Sequence, residues 1–220
     1  MFSCAYCEKN VCLTGTLDRA PTECPSLEEA YTDVEALYDE EELKIARTAA
    51  LVEAEGYCKN TRVEEIMSFA HKMGVKKLGL AFCSGLKNEA LIFTKILTEN
   101  GFEVVSAKCK MGAQPKERLG VKDEEKIRPG QFEAMCNPAA QAEYLDAQGA
   151  ELSVILGLCV GHDTLFIRHS KAMVTVLAAK DRVLAHNPLG ALYMADGYYK
   201  RLHHFSDSFA EEEKVQKEQG

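Results

Sequence analysis

The chain changes its hydrophobic rhythm part-way along. From Leu27, apolar positions fall at helical spacing (Leu27, Ala30, Tyr31, Val34, Leu37, Tyr38) with acids between them, and Leu43 to Val52 continues the pattern. This predicts one long helix or two in tandem, ending near Gly56. A further helix is predicted over Arg62–Met73, with Thr61 as its cap and Glu64 completing a capping box. Beyond it the apolar positions gather into short continuous runs at Leu78–Phe82, Phe102–Ala107, Leu152–Leu158 and Met173–Ala178, with Val183–Ala185 as a shorter strand or edge. Runs of this length read as buried strands. Amphipathic stretches separate them: Leu86–Asn100, a helix opened by Asn137-Pro138 and running to Gln148, one from about Gly161, and Ala191–Leu202 after Asn187-Pro188. Strand and helix in alternation predict an α/β fold, a Rossmann-like three-layer domain with a mostly parallel sheet.

The pattern also sets expected boundaries. Residues 1–25 have little periodicity and are dense in cysteine; 26–205 form the α/β domain; 206–220 read as a polar tail. Residues 111–130 form a long irregular stretch mixing lysines, arginines and acids, expected as a lid or flap over the site.

Charge narrows the partners. A net charge of −8 opposes general binding to nucleic acid or to an anionic membrane, either of which needs a basic field. No apolar run approaches the ~20 residues that span a bilayer, and MFSCAYCEKN lacks the pattern of a secretory signal. A cytoplasmic location is therefore expected. The expected partners are a redox partner or a small-molecule ligand.

Nine cysteines are the compositional outlier. In a reducing compartment an odd number of thiols fits metal ligation or thiol chemistry better than a disulfide framework. Cys4, Cys7, Cys12 and Cys24 follow a C-x2-C-x4-C-x11-C spacing in a piece too small to fold on an apolar core, so a metal knuckle is expected there. The second set is Cys83, Cys109, Cys136 and Cys159. Cys83, Cys109 and Cys159 stand at the ends of predicted strands, and Cys136 at the mouth of a helix. In an open parallel sheet, ligands bind beyond the carboxyl ends of the strands. Helix N-termini favour thiolate at Cys83, Cys136 and Cys159, and Lys108 and Lys110 flank Cys109. Four thiolates fit a [4Fe–4S] cluster or a closed zinc site, and loops from separated strands favour iron–sulfur. His162 and Asp163 are candidates to orient a ligand or tune the metal from outside its thiol shell, with Lys171, Asp181, Arg182, His186 and Asn187 nearby. Asp163 equally fits a helix cap. Cys58 has no evident partner and reads as a core cysteine.

The segments CAYC, MCNPAAQAEYL, GLCVGHDTLF and HSKAMVTVLAAKDRVLAHNP together resemble a prokaryotic family of uncharacterised, cysteine-rich predicted metal-binding proteins, a domain of unknown function, over nearly the whole length to Phe205. The resemblance implies metal binding. It implies no reaction and no catalytic residues. Three functions therefore follow as expectations: a metal protein with two four-cysteine sites serving electron transfer or redox sensing; a thiol enzyme with Cys159 or Cys109 as nucleophile and His162 as base; and a small-molecule module using the Gly85 and Gly161 turns to hold an anion.

Overall fold

The computed structural model describes residues 3–205, so the expected polar tail lies outside the described residues. The chain divides into two compact units, one ending at Thr61 and one starting at Arg62. The acidic helical stretch thus groups with the cysteine-rich segment and not with the sheet.

In the first unit, short helices α1 (Val11–Thr14) and α2 (Val34–Leu37) precede the longer α3 (Glu40–Gly56). The helix expected from Leu27 is interrupted: Pro25–Leu27 and Glu29–Tyr31 are separate 3-10 turns. Two aspartates explain the breaks. Asp33 accepts the Ala36 N–H at 3.1 Å, and Asp39 accepts the Glu42 N–H at 2.8 Å while Glu42 returns to the Asp39 N–H at 2.9 Å. A capping residue leaves helical geometry, so each aspartate restarts the helix in place of continuing it. Cys58 follows α3 in the left-handed region (φ 55) and is exposed, which corrects its reading as a core cysteine.

The second unit opens with α4 (Arg62–Met73) and then winds β1 (Lys77–Phe82), α5 (Lys87–Glu99), β2 (Glu103–Lys108), α6 (Pro138–Ala147), β3 (Leu152–Leu156), α7 (His162–His169) and β4 (Met173–Ala178), ending with α8 (Leu189–Tyr193). The four strands form one sheet in the order β2-β1-β3-β4, every pair parallel. Side chains alternate across it, as the two-residue strand period requires. Leu78, Leu80, Phe82, Leu152, Val154 and Leu156 pack with Ile66 and Ala70 of α4 and with Ala90, Phe93 and Leu97 of α5. Ala81, Ala107 and Ile155 pack with Ala142 and Leu145 of α6 and Phe166 of α7. The result is the expected three-layer α/β/α domain. Glu151 ties the amino edge together, its carboxylate accepting the Lys76 and Lys77 N–H groups at 2.8 and 2.9 Å.

The last part of the chain departs from expectation. Val183–Ala185 is no strand: Asp181 Oδ1 accepts the N–H groups of Val183 and Leu184 at 2.9 and 2.8 Å, and Ala185 and His186 are left-handed (φ 50 and 64). Backbone donors spent inside a turn cannot join a ladder. The helix expected over Ala191–Leu202 is shorter, α8 being followed by turns and a 3-10 segment at Lys200–His204.

Candidate metal centre

Strand order decides which sequence positions meet. With β1 between β2 and β3, successive connections leave β1 in opposite directions, and the crevice beyond the strand ends at such a reversal is where doubly wound folds take ligands. The register places Phe82 of β1 level with Lys108 of β2 and with Leu156 of β3. Cys83 and Cys109 therefore leave adjacent strands side by side, and Cys159 lies a few residues past β3. Cys136 arrives from the α6 side, where Asn137 N–H donates to Cys109 O at 2.8 Å and Asn137 Oδ1 caps the helix at the Ala140 N–H.

The Cys109 sulfur is the hub. It is a hydrogen-bonding partner of Cys83 and of Cys136. Its own donors come from Ser84, whose N–H and Oγ both lie 3.3 Å from Cys109 Sγ. Ser84 is the first residue of the following 3-10 turn, Ser84–Leu86, and Cys83 stands at its cap position. Cys159 takes Arg182 Nη2 at 3.1 Å. Gly85 and Lys180 act on the Cys83 thiol and Lys110 on Cys136, each favouring the thiolate. Lys110 is itself steadied by donating to Ala134 O at 2.5 Å.

These contacts grade the thiols. Hydrogen bonding to Cys109, with burial next, pushes Cys83 up to about 12. Hydrogen bonding from Cys109 holds Cys136 down to about 6 against the cost of burial, with Lys110 assisting. Arg182 rises above its ordinary value because it bonds and faces Cys159, with Cys83 and Cys136 adding to the effect. Thiols acting only as small core groups need no cations; here Arg182 bonds the Cys159 sulfur and Lys110 helps hold Cys136 as a thiolate near neutral pH, while Cys83 stays protonated.

A family model described as "Protein of unknown function (DUF1847)" matches residues 23–177. The chain belongs to this family. The DUF1847 stretch contains Cys83, Cys109, Cys136 and Cys159 and stops short of Lys180 and Arg182. A relative, the uncharacterised protein MJ0455 of Methanocaldococcus jannaschii, is 45% identical over 199 residues, which cover 90% of this chain and 97% of the relative. No solved structure matches the chain.

The remaining expected residues of this DUF1847 chain are placed as follows. His162 lies beside the thiols; burial, then Lys110, lowers its pKa, with opposing influence from Asp163 and Cys83. Asp163 turns to its own helix, its carboxylate accepting the Thr164 N–H at 2.8 Å. His186 is used inside the Asp181 turn, Nδ1 accepting the Asp181 N–H at 3.1 Å. Lys171 contributes its backbone N–H to Asp146 at 2.8 Å. Among the described residues no hydrogen bond joins the thiols of Cys4, Cys7, Cys12 and Cys24. Cys4 and Cys12 are exposed, Cys7 is half-buried and Cys24 buried. Among the described residues, too, no group of three or more His, Cys, Asp or Glu side chains is arranged to hold a metal ion as it stands.

The stretch expected as a lid is strapped down. Lys116 and Met135 N–H groups bond to Glu133 and Gln114 carbonyls at 3.0 and 2.7 Å, and Pro115 bridges Ala134. Lys126, its side chain 3% exposed, pairs with Asp123 at 2.6 Å and Glu117 at 2.9 Å and donates to Gln131 O at 2.6 Å. Two site features escaped the sequence: Lys180, and the fully buried Gln141, whose Nε2 donates to Ala107 O at 2.6 Å and Phe82 O at 3.4 Å. Gln141 thereby ties the ends of the strands that deliver Cys83 and Cys109. A glutamine among the otherwise apolar buried positions of α6 (Pro138, Ala142, Leu145) is the signal that marks it.

Proposed function

We propose that Cys83, Cys109, Cys136 and Cys159 bind a metal centre, a [4Fe–4S] cluster in preference to zinc, and that the protein serves electron transfer or redox sensing in the cytoplasm. The observation that carries this reading is that adjacent parallel strands deliver Cys83 and Cys109 side by side, with the sulfurs of Cys109 and Cys159 each hydrogen-bonded from outside the cysteine set, by Ser84 and Arg182. The donor set fits the group: thiolates are the ligands of such clusters, and donors to the sulfurs tune them. The four thiols come from loops beyond separate strands and not from one tight knuckle, which favours the larger centre. The N-terminal cysteines carry no part of this proposal.

Anaerobic purification of the full chain, with iron, sulfide and zinc analysis and electronic spectra, tests it. About four iron and four sulfide per chain are expected, and Cys109→Ala should lose them. A folded wild-type chain that takes up neither iron nor zinc overturns the reading.

A second reading, thiol chemistry, is favoured by the low Cys136 value. It moves the nucleophile from Cys159 or Cys109 to Cys136, where thiolate forms near neutral pH. It requires Cys136 to alkylate far faster than the other thiols of the metal-free chain; uniform slow labelling overturns it.

A further inference from the structure

We infer that Cys83 and Cys109 form a disulfide in the metal-free chain, a covalent modification site at the carboxyl edge of the sheet with hydrogen peroxide as its oxidant. Strand geometry carries this, with or without the metal reading above.

The register places the pair. Phe82 of β1 is level with Lys108 of β2, and the Cys109 N–H donates to Phe82 O at 2.9 Å, so the pairing runs on to set Cys83 beside Cys109. Cys83 is still extended there (φ -73, ψ 140). The two-residue period puts both on the face of Ala81 and Ala107, where both pack into the apolar cluster under α6 and α7. Neighbouring strands run about 4.8 Å apart, inside the range of about 4.4–6.8 Å between the Cα atoms of a disulfide. The two sulfurs also meet one turn. Ser84 N and Oγ both lie 3.3 Å from Cys109 Sγ, and Cys83 Sγ lies 4.0 Å from where a side chain on Gly85 would begin. Gln141 fixes the spacing: fully buried, its Nε2 donates to Ala107 O at 2.6 Å and to Phe82 O at 3.4 Å, one carbonyl at each strand end.

The other two thiols are placed differently. Cys159 lies beyond the Leu156 that pairs with Phe82, and its sulfur is engaged by Arg182 at 3.1 Å. Cys136 comes from the loop before α6, where no strand register sets it.

Atoms and electrons balance with peroxide as the only other reactant. Cys109, as thiolate, attacks one peroxide oxygen; an S–O bond forms, the O–O bond breaks, and the departing hydroxide takes up a proton to become water. The Ser84 N–H, donating to Cys109 Sγ, suits that sulfur to carry the attacking charge. Cys83 Sγ then attacks the sulfenic sulfur of Cys109. The S–S bond forms, the S–O bond breaks, and the Cys83 proton leaves with the oxygen as a second water. Two thiols lose two electrons and one peroxide gains them. Cys83 is half-buried where Cys109 is buried, so the pair suits a small oxidant.

The test treats the full chain, stripped of metal with a chelator, with equimolar hydrogen peroxide, blocks the remaining thiols with N-ethylmaleimide, digests without reductant and maps linked peptides by mass spectrometry. The peptide joining Cys83 to Cys109 should appear in about tenfold or greater excess over any other linkage of either residue, and dithiothreitol should release it. Cys136→Ser and Cys159→Ser should keep the linkage, and Cys109→Ser should lose it. In the wild type, linkage of Cys109 mainly to Cys136 or Cys159, or oxidation that leaves Cys109 unlinked, overturns the inference. A wild-type chain that loads iron or zinc but forms no Cys83–Cys109 bond overturns this inference alone. One that forms the bond but takes up neither metal sustains it and overturns the metal reading instead.

Discussion

Gly157 links the core to the thiol site, and replacing it with alanine gives a quantitative test of how the site is supported. The residue lies between β3 and Cys159 at φ +64, and its N–H donates to Ala178 O at 2.7 Å. A methyl group there would stand 2.2 Å from Leu86 Cδ1 and 3.6 Å from Lys180 Nζ. Leu86 is buried, so it has no open solvent to swing into. Left-handed backbone costs an L-residue about 1–2 kcal/mol. Overpacking a filled core adds about 1–3 kcal/mol, so Gly157→Ala should destabilise by about 2–5 kcal/mol in all. Gly149→Ala is the control: it shares the conformation (φ +75) but meets nothing within 4 Å, so only the backbone cost of about 1–2 kcal/mol applies. Equilibrium urea unfolding of both variants, at unchanged dependence on denaturant, isolates the packing contribution. Because Leu86 N–H donates to Cys83 O at 2.8 Å, Gly157→Ala should also weaken metal loading. A difference between the variants below about 0.5 kcal/mol would refute the claim that the strand exit is tightly packed against the Cys83 turn.

Three further outcomes are expected. Removing the hub sulfur with Cys109→Ala should abolish loading while Cys58→Ala, at an exposed position, leaves it unchanged; metal analysis of the two purified variants checks this. In the metal-free chain, Cys136 should alkylate with a midpoint near pH 6 and Cys83 only toward pH 12, read by mass spectrometry after pulsed labelling. The signs follow from linkage: the depressed Cys136 value contributes stability in full above pH 9 that is lost as pH falls through 6. The raised Cys83 value contributes below pH 9 and is lost as pH rises through 12. Finally, Lys126→Met should release the 116–133 loop to limited proteolysis. Its hydrogen bonds to Lys126 hold the Glu117 and Asp123 carboxyls below their ordinary 4.5 and 3.8, and Asp123, then Glu117, raises Lys126 above 10.5. In the wild type, protection should therefore be complete between about pH 4.5 and 10.5, fading in more acid and more alkaline solution. Equal cleavage of Lys126→Met and wild type at neutral pH would remove the clasp from the account.

Local sequence determined much of this protein. The helix at Arg62–Met73, the four strands and the cysteines that follow three of them are written in short-range periodicity, because the central strands β1 and β3, buried on both faces, must be apolar throughout and a helix packed between the sheet and solvent must be amphipathic. Where local signals competed, the apolar pattern misled. Asp33 and Asp39 restart a helix that the apolar spacing would continue, and Asp181 folds Val183–Ala185 into a turn although those residues favour a strand. Tertiary structure alone decided the rest. Which strands are neighbours, and hence which thiols meet, depends on the order β2-β1-β3-β4, which no local pattern encodes. Arg182 reaches Cys159 across 23 positions of sequence, and Gln141 reaches the ends of β1 and β2 from the far side of a loop. The sequence could place four thiols at one edge of a sheet; their charge environment is a property of side chains brought together only by the fold.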